Sequence, residues 1–323
     1  MNLNTEKVKY DDATSDALAN ACRTVAQNID NALPPLKNSL TTALEEFRGH
    51  YADVAAANID TTISDGRDIA SIFRQLADVV DRLKESAHKE NENRDLMYHY
   101  EHDLGGFRKW WVETFGGEPP KPTSYKPDTS IDTTSLGHRE STETRSGSMT
   151  VSSARPSTVR SLSNTLANLG TSLDAEPGKL RNLSTEFMVK CQWGSVDAEN
   201  LISTFEAWNK SNANDKTWLG IVADTFEKYG SSSQVITVAN STLEGAISAA
   251  GVSTERHDLE VPTPAVVGMS TTSGYVNDPV NVATGNFIEE ETDMAFAGVV
   301  SACSVTRMYN LSLIHISEPT RPY

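Results

Sequence analysis

The chain has 323 residues, with 28 Lys+Arg against 44 Asp+Glu and a formal net charge of −16, a length that suits about two domains. That balance argues against nucleic acid as the main partner, because binding a phosphate backbone needs clustered cations. Apolar residues make up 38% of the sequence, enough with the glycines for packed cores while leaving part of the chain as uncovered linker.

No run of apolar residues is long enough for a transmembrane helix, so no integral membrane segment is expected. The N-terminus, MNLNTEKVKYDD, lacks the apolar stretch of a cleavable signal peptide. Cys22, Cys191 and Cys303 are scattered and show no CxxC or Cys/His spacing. They suggest neither a disulfide framework nor a zinc site, and no cofactor is expected.

The fold class is mainly α. From Asp12 to Gly49, Leu18, Cys22, Val25, Ile29, Leu33, Leu36, Leu40, Leu44 and Phe47 recur at steps of three and four, one face of a helix. Pro34-Pro35 predicts a kink or a fresh helix start. A second stripe runs from Tyr51 through Ile59, Ile63, Ile69, Ile72, Leu76 and Val80 to Leu83, with a break expected at Ser64-Asp65-Gly66. Neither stripe can be buried alone, so the two predict an antiparallel hairpin or small bundle over residues 1–115. Between them stand Phe47-Arg48-Gly49, where glycine permits a tight reversal and the aromatic plugs the hairpin end.

An aromatic, any residue, then Gly between two amphipathic helices resembles the WXG-type helical hairpins of Gram-positive (type VII) secretion, with Phe47 where Trp is usual. The Tyr-x-x-x-Asp/Glu motif often found after the second helix in those families has only a loose counterpart at Tyr98–Asp103, where His99 stands four before Asp103. The resemblance implies an export module with Phe47 and Gly49 at its turn. His99 and His102 are one helical turn apart, but no third ligand accompanies them, and they are read as a solvated helix end. Phe107, Trp110, Trp111 and Phe115 are expected to fold back as a cap on the hairpin.

Residues 116–157 are rich in Pro, Ser and Thr and read as a disordered spacer. Helical spacing returns over 158–251, predicting a second bundle of five short helices with Trp193, Trp208 and Trp218. A turn is expected at Glu176-Pro177-Gly178 and a loop at Asn212–Asp215, with Asp215 as an N-cap. Cys191 falls on the apolar stripe. Whether the two helical stretches fold independently is open from sequence. Residues 252–276 read as an extended linker.

From Asn277 the pattern changes to alternation, with a hairpin turn signal at Thr284-Gly285 and strands on either side. Asp278-Pro279-Val280, then Ala283-Thr284-Gly285 with Phe287 close behind, then Glu291-Thr292-Asp293, then Thr306-Arg307 and Tyr309 stand in order over 277–310. This series resembles the entry motif of Rhs/YD-repeat proteins, which are large polymorphic toxins. Met308 stands where Thr is frequent, and Phe296-Ala297-Gly298 where Pro-Gly is frequent. The resemblance implies that these residues open an antiparallel β-shell ahead of a variable toxin, and that helical regions before them serve export. Glu289, Glu290, Glu291 and Asp293 alternate faces on a strand and do not converge as an acid–base pair.

Residues 311–323, beginning Leu311-Ser312-Leu313-Ile314-His315-Ile316, look like a translated sequencing adapter and are expected to be an artefact. The reading is therefore a non-catalytic export and delivery region of a secreted Rhs-family toxin, truncated before shell and toxin. It would be secreted or displayed by a Gram-positive bacterium without a cleavable signal peptide. The implied partners are secretion machinery or a small helical chaperone, and an immunity protein for the missing toxin. The alternative is a helical cell-surface scaffold or adhesin with an Rhs-like stalk.

Overall fold

A computed structural model describes residues 6–102, 105, 127–134, 136 and 150–268, together with the backbone of strands at 280–281, 286–297 and 302–311. Helix α1 spans Asp12–Leu44 and α2 spans His50–His102. Asp11 opens α1: its carboxylate accepts from Thr14 N at 2.7 Å, satisfying one free amide of the first turn. The predicted stripe from Leu18 to Leu40 is buried along its length.

The prolines neither end nor restart α1. Pro34 and Pro35 lie inside it, and their missing N–H groups leave the carbonyls of Asp30 and Asn31 without an intrahelical donor. Leu33 and Leu36 on either side are both anchored in the core, which carries the helix through. The break expected at Ser64-Asp65-Gly66 is also absent, because α2 runs on unbroken. Gly66 instead permits a close approach: a Cβ there would lie 2.8 Å from Trp208 Cζ2.

The two helices are antiparallel. Lys84 meets Asp16 at 2.8 Å, Arg23 meets Asp78 at 3.0 Å, and Arg74 pairs with Asp30. Exposed pairs of this kind contribute about 0–1 kcal/mol each, so they mark the register that the apolar stripes stabilise. α2 has 53 residues against 33 in α1. Residues 6–11 run back along the excess, where Val8 N donates to Asn91 Oδ1 at 2.7 Å and Lys7 pairs with Asp95.

The second helical stretch forms α3 (Pro156–Leu173), α4 (Glu176–Lys190), α5 (Glu199–Lys228) and α6 (Asn240–Ala249). Glu176-Pro177-Gly178 is the first turn of α4 and not a loop, which suits a proline that lacks an N–H. Asn212–Asp215 lies inside α5, so one long helix stands where two short ones were predicted. Residues around Val196 and Val238, read as helical, belong to short strands. β1 (Val151–Ala154) pairs antiparallel with β3 (Ile236–Ala239), and β2 (Gly194–Asp197) pairs antiparallel with β4 (Ala265–Gly268).

All six helices among the described residues contribute to one continuous core. α1 packs on α2, α3 and α4, while α5 packs on α3, α2, α4 and α6. Val25, Ile29, Phe73, Leu76, Val159, Phe205, Trp208 and Phe226 all lie within it. Full burial of such a side chain contributes about 1.5–3 kcal/mol, so the two helical stretches stabilise each other.

Part of the expected spacer is docked. Gln75 exchanges hydrogen bonds with the backbone of Asp132, at 2.9 and 2.6 Å, and Arg82 Nε donates to Asp128 O at 2.7 Å. Asp128 and Asp132 turn the chain locally by accepting from Ser130 N and Thr134 N. Side chains of α2 bonding to its backbone, with Ile131 and Leu136 packed against the core, thus order a segment too polar to be read as packed. Residues 107–115, the expected aromatic cap, lie outside the described residues.

The C-terminal stretch is antiparallel β, as its alternation predicts. β5 (Val280–Asn281), β6 (Asn286–Ala297) and β7 (Ala302–Leu311) form a three-stranded sheet in that order.

Candidate functional site

The predicted turn reverses the chain as its residues suggest. Gly49 has φ of +95°, a left-handed conformation that costs a side chain energy. Phe47 is fully buried and meets Phe226 edge to face at 6.3 Å. The Arg48 guanidinium donates to the carbonyls of Leu44 and Glu45, satisfying the free end of α1.

This turn is covered. Arg48 and Ser153 exchange backbone hydrogen bonds at 2.7 and 3.0 Å, so β1 closes over it. Ser152 Oγ donates to Asn240 Oδ1 at 2.7 Å and accepts from Tyr51 N at 3.4 Å. A Cβ on Gly49 would sit 2.6 Å from Val151 O. Gly49→Ala is therefore expected to destabilise the protein by about 1–3 kcal/mol, read as a lower urea midpoint with an unchanged slope. An unchanged midpoint would show that β1 does not press on the turn.

At the other end of the bundle, Trp193 is buried and its Nε1 donates to Ser86 Oγ at 2.8 Å, with the Arg94 guanidinium 5.7 Å from its ring centre. Gly194 follows with φ of +141°. His102 stacks on Tyr98 at 4.2 Å in the last turn of α2. Among the described residues no group of three or more His, Cys, Asp or Glu side chains could hold a metal. Cys22 and Cys191 are both buried. Burial pushes the Cys22 thiol up to about 12 and raises that of Cys191, opposite to the activation a nucleophile needs.

The most unusual chemistry lies where α2 and α5 meet. Asn58 Nδ2 donates to Asp215 Oδ1 at 2.8 Å, Thr62 Oγ1 donates to Asn212 Oδ1 at 3.2 Å, and Trp208 Nε1 donates to Thr62 O at 3.0 Å. Trp218 Nε1 also donates to Asp215 Oδ1, at 2.8 Å. Into this polar seam residues 252–264 insert Arg256. Its guanidinium lies 2.6 Å from Asp215 Oδ2 and 4.0 Å from Asp65 Oδ2, and the side chains of all three are at most 3% exposed. Burial foremost, and then a hydrogen bond with Asp258, pushes the Asp65 carboxyl up to about 8, against the pull of Arg256.

None of these seam residues stood out in the sequence as a site. The available signal was the interruption of apolar faces by Asn58, Thr62 and Asp65 in one helix and by Asn212 and Asp215 in another, at helical spacing. Ser64-Asp65-Gly66 predicts a helix break and Asn212–Asp215 a loop, while Asn58 and Thr62 carry no expectation of their own.

The residues of the β motif fall partly within the described backbone. Val280 pairs with Phe287, Glu291 with Arg307, Thr292 with Thr306, and Glu289 with Tyr309. Glu291 and Thr292 of the motif thus stand in register with its Thr306-Arg307 on the neighbouring strand. A register shift falls between Thr292 and Met294, at Asp293. Asp278, Pro279, Ala283, Thr284 and Gly285 lie outside the described residues.

The family described as a domain of unknown function, DUF6531, matches residues 277–316. That span contains the whole ordered motif and extends past Asn310. No curated protein and no solved structure matches the chain. No helix among the described residues is long and apolar enough to cross a membrane.

Proposed function

We propose that this chain is the export and presentation region of a secreted Rhs-type polymorphic toxin, with shell and toxin belonging downstream of the β motif. The observation that carries the reading is the ordered series from Asp278 to Tyr309, inside the stretch that matches DUF6531. Two further features support it. Residues 12–102 form a long antiparallel hairpin with an aromatic and a left-handed Gly at its reversal. The motif segments form antiparallel strands, as the start of a β-shell requires.

In this reading the helical body is a carrier. Secretion machinery or a small helical chaperone binds its outer helical faces, since the turn itself lies under β1. The shared core bears on how export is tested. A fusion ending near residue 115 would strip α1 and α2 of the surface they bury against α3, α4 and α5.

Residues 1–268 fused to a leaderless reporter keep that core whole. In a Gram-positive host, the reporter is expected in the medium of cells with a type VII system and absent from the medium of a strain lacking its ATPase. Equal reporter in both media, or wall retention in both strains, would overturn the export reading. The second result would favour a surface scaffold.

A further inference from the structure

We propose that residues 252–268 form a releasable strap that is plugged into the helical body by Arg256 and opens as a unit while the body stays folded. The inference rests on the described seam alone and does not depend on the export reading.

The strap has no helix, and its hold is largely polar. Thr254 O accepts from Asn58 Nδ2 at 3.0 Å, Ser253 O accepts from Asn214 Nδ2 at 2.7 Å, and Leu259 N donates to Asp65 Oδ1 at 3.5 Å. Val261 and Pro264 are its buried apolar side chains, while Val252, Leu259 and Val266 are only partly covered. The segment ends in β4, which is held to β2 over four residues. Such a segment has far less apolar area to lose than any long helix, which places it at the low-stability end of the structure.

Arg256 is an imperfect plug. Its Nε and Nη2 are buried without a hydrogen-bond partner in the protein, and Nη2 stands 4.0 Å from Asp65 Oδ2. A buried charge stabilises only when its geometry and hydrogen bonds are complete. Part of what the Asp215 contact contributes is therefore offset by the cost of burying the guanidinium.

The body does not need the plug. With the strap lifted, Asp215 keeps Asn58 and Trp218 as partners, and the Thr62–Asn212 and Trp208–Thr62 bonds still join α2 to α5. Opening thus bares an acidic slot the size of a guanidinium and frees the chain beyond α6. Closure fixes the chain as far as Gly268, ten positions before the first motif residue Asp278.

Hydrogen exchange on the full chain tests this. In the wild type, the amides of β2, β4 and Leu259 are expected to exchange at least about tenfold faster than those of α1 and α5. They should do so through an opening with a weak denaturant dependence. Arg256→Ala should speed the strap amides about tenfold or more and leave α1 amides unchanged. The proposal is overturned if strap and helix amides exchange at one rate with one denaturant dependence in the wild type. It is equally overturned if Arg256→Ala speeds both sets alike or neither. Should that variant fail to fold, the wild-type comparison still decides.

Discussion

Trp208→Ala should lower the unfolding free energy by about 3–5 kcal/mol and melt all the described helices in one step. The indole is fully buried, stacks near Phe205 with ring centres 6.2 Å apart, and donates to Thr62 O. Its far edge fills the space that Gly66 leaves open on α2. Truncation removes a large buried area and leaves a cavity between α2 and α5 that two packed helices cannot close without shifting.

The single transition is the more telling half of that result. Trp208 belongs to the second helical stretch and Gly66 to the first, yet both border one core. Denaturant melts followed by far-ultraviolet circular dichroism and by tryptophan fluorescence should therefore coincide in the wild type and in the variant. A two-step melt in which α1 and α2 keep their helicity after the tryptophans are exposed would mean that the hairpin is a separate folding unit.

The hairpin, the buried faces of its helices and the β alternation at the C-terminal end were legible because each rests on a period. Leu18 to Phe47 follows the helix, and Val280 to Tyr309 follows the strand. What was lost is what breaks a period for a tertiary reason. Gly66 looks like a helix break until Trp208 is placed against it. Asn212 and Asp215 look like a loop until Thr62 and Asn58 supply the hydrogen bonds that let them be buried.

The four-residue strands were missed for a related cause. β1, β2, β3 and β4 are too short for alternation to register, and each is ordered by pairing with a strand distant in sequence. Arg256 is the extreme case. In sequence it is one charge in a polar linker, Thr254-Glu255-Arg256-His257-Asp258. Only the fold brings it to two aspartates on separate helices.

The pH dependence of stability should run opposite to ordinary acid denaturation where Asp65 dominates. The carboxyl is held up to about 8 in the folded chain against 3.8 ordinarily. Between those values the folded state keeps a proton that the unfolded chain has already released. The unfolded state then binds fewer protons, so stability falls as pH rises through that window. The contribution is fully lost above about 8, and its upper bound is about 6 kcal/mol at 1.36 kcal/mol per pH unit.

Burial sets the sign, and the groups facing Asp65 modify it. Asp258 on the strap raises its affinity for the proton, while Arg256 opposes that rise and is itself held by Asp215 on α5. Asp65→Asn keeps an oxygen for Leu259 N and cannot ionise. The variant should gain on the wild type steadily from pH 4 to pH 8 and by a constant amount above that, in urea melts taken across the range. Parallel curves for the two proteins would show that Asp65 ionises freely in the folded chain and is hydrated there. A gap that widens only above about pH 4 would instead show one buried carboxyl working against the closed strap at neutral pH, with the proton on Asp65 favouring closure.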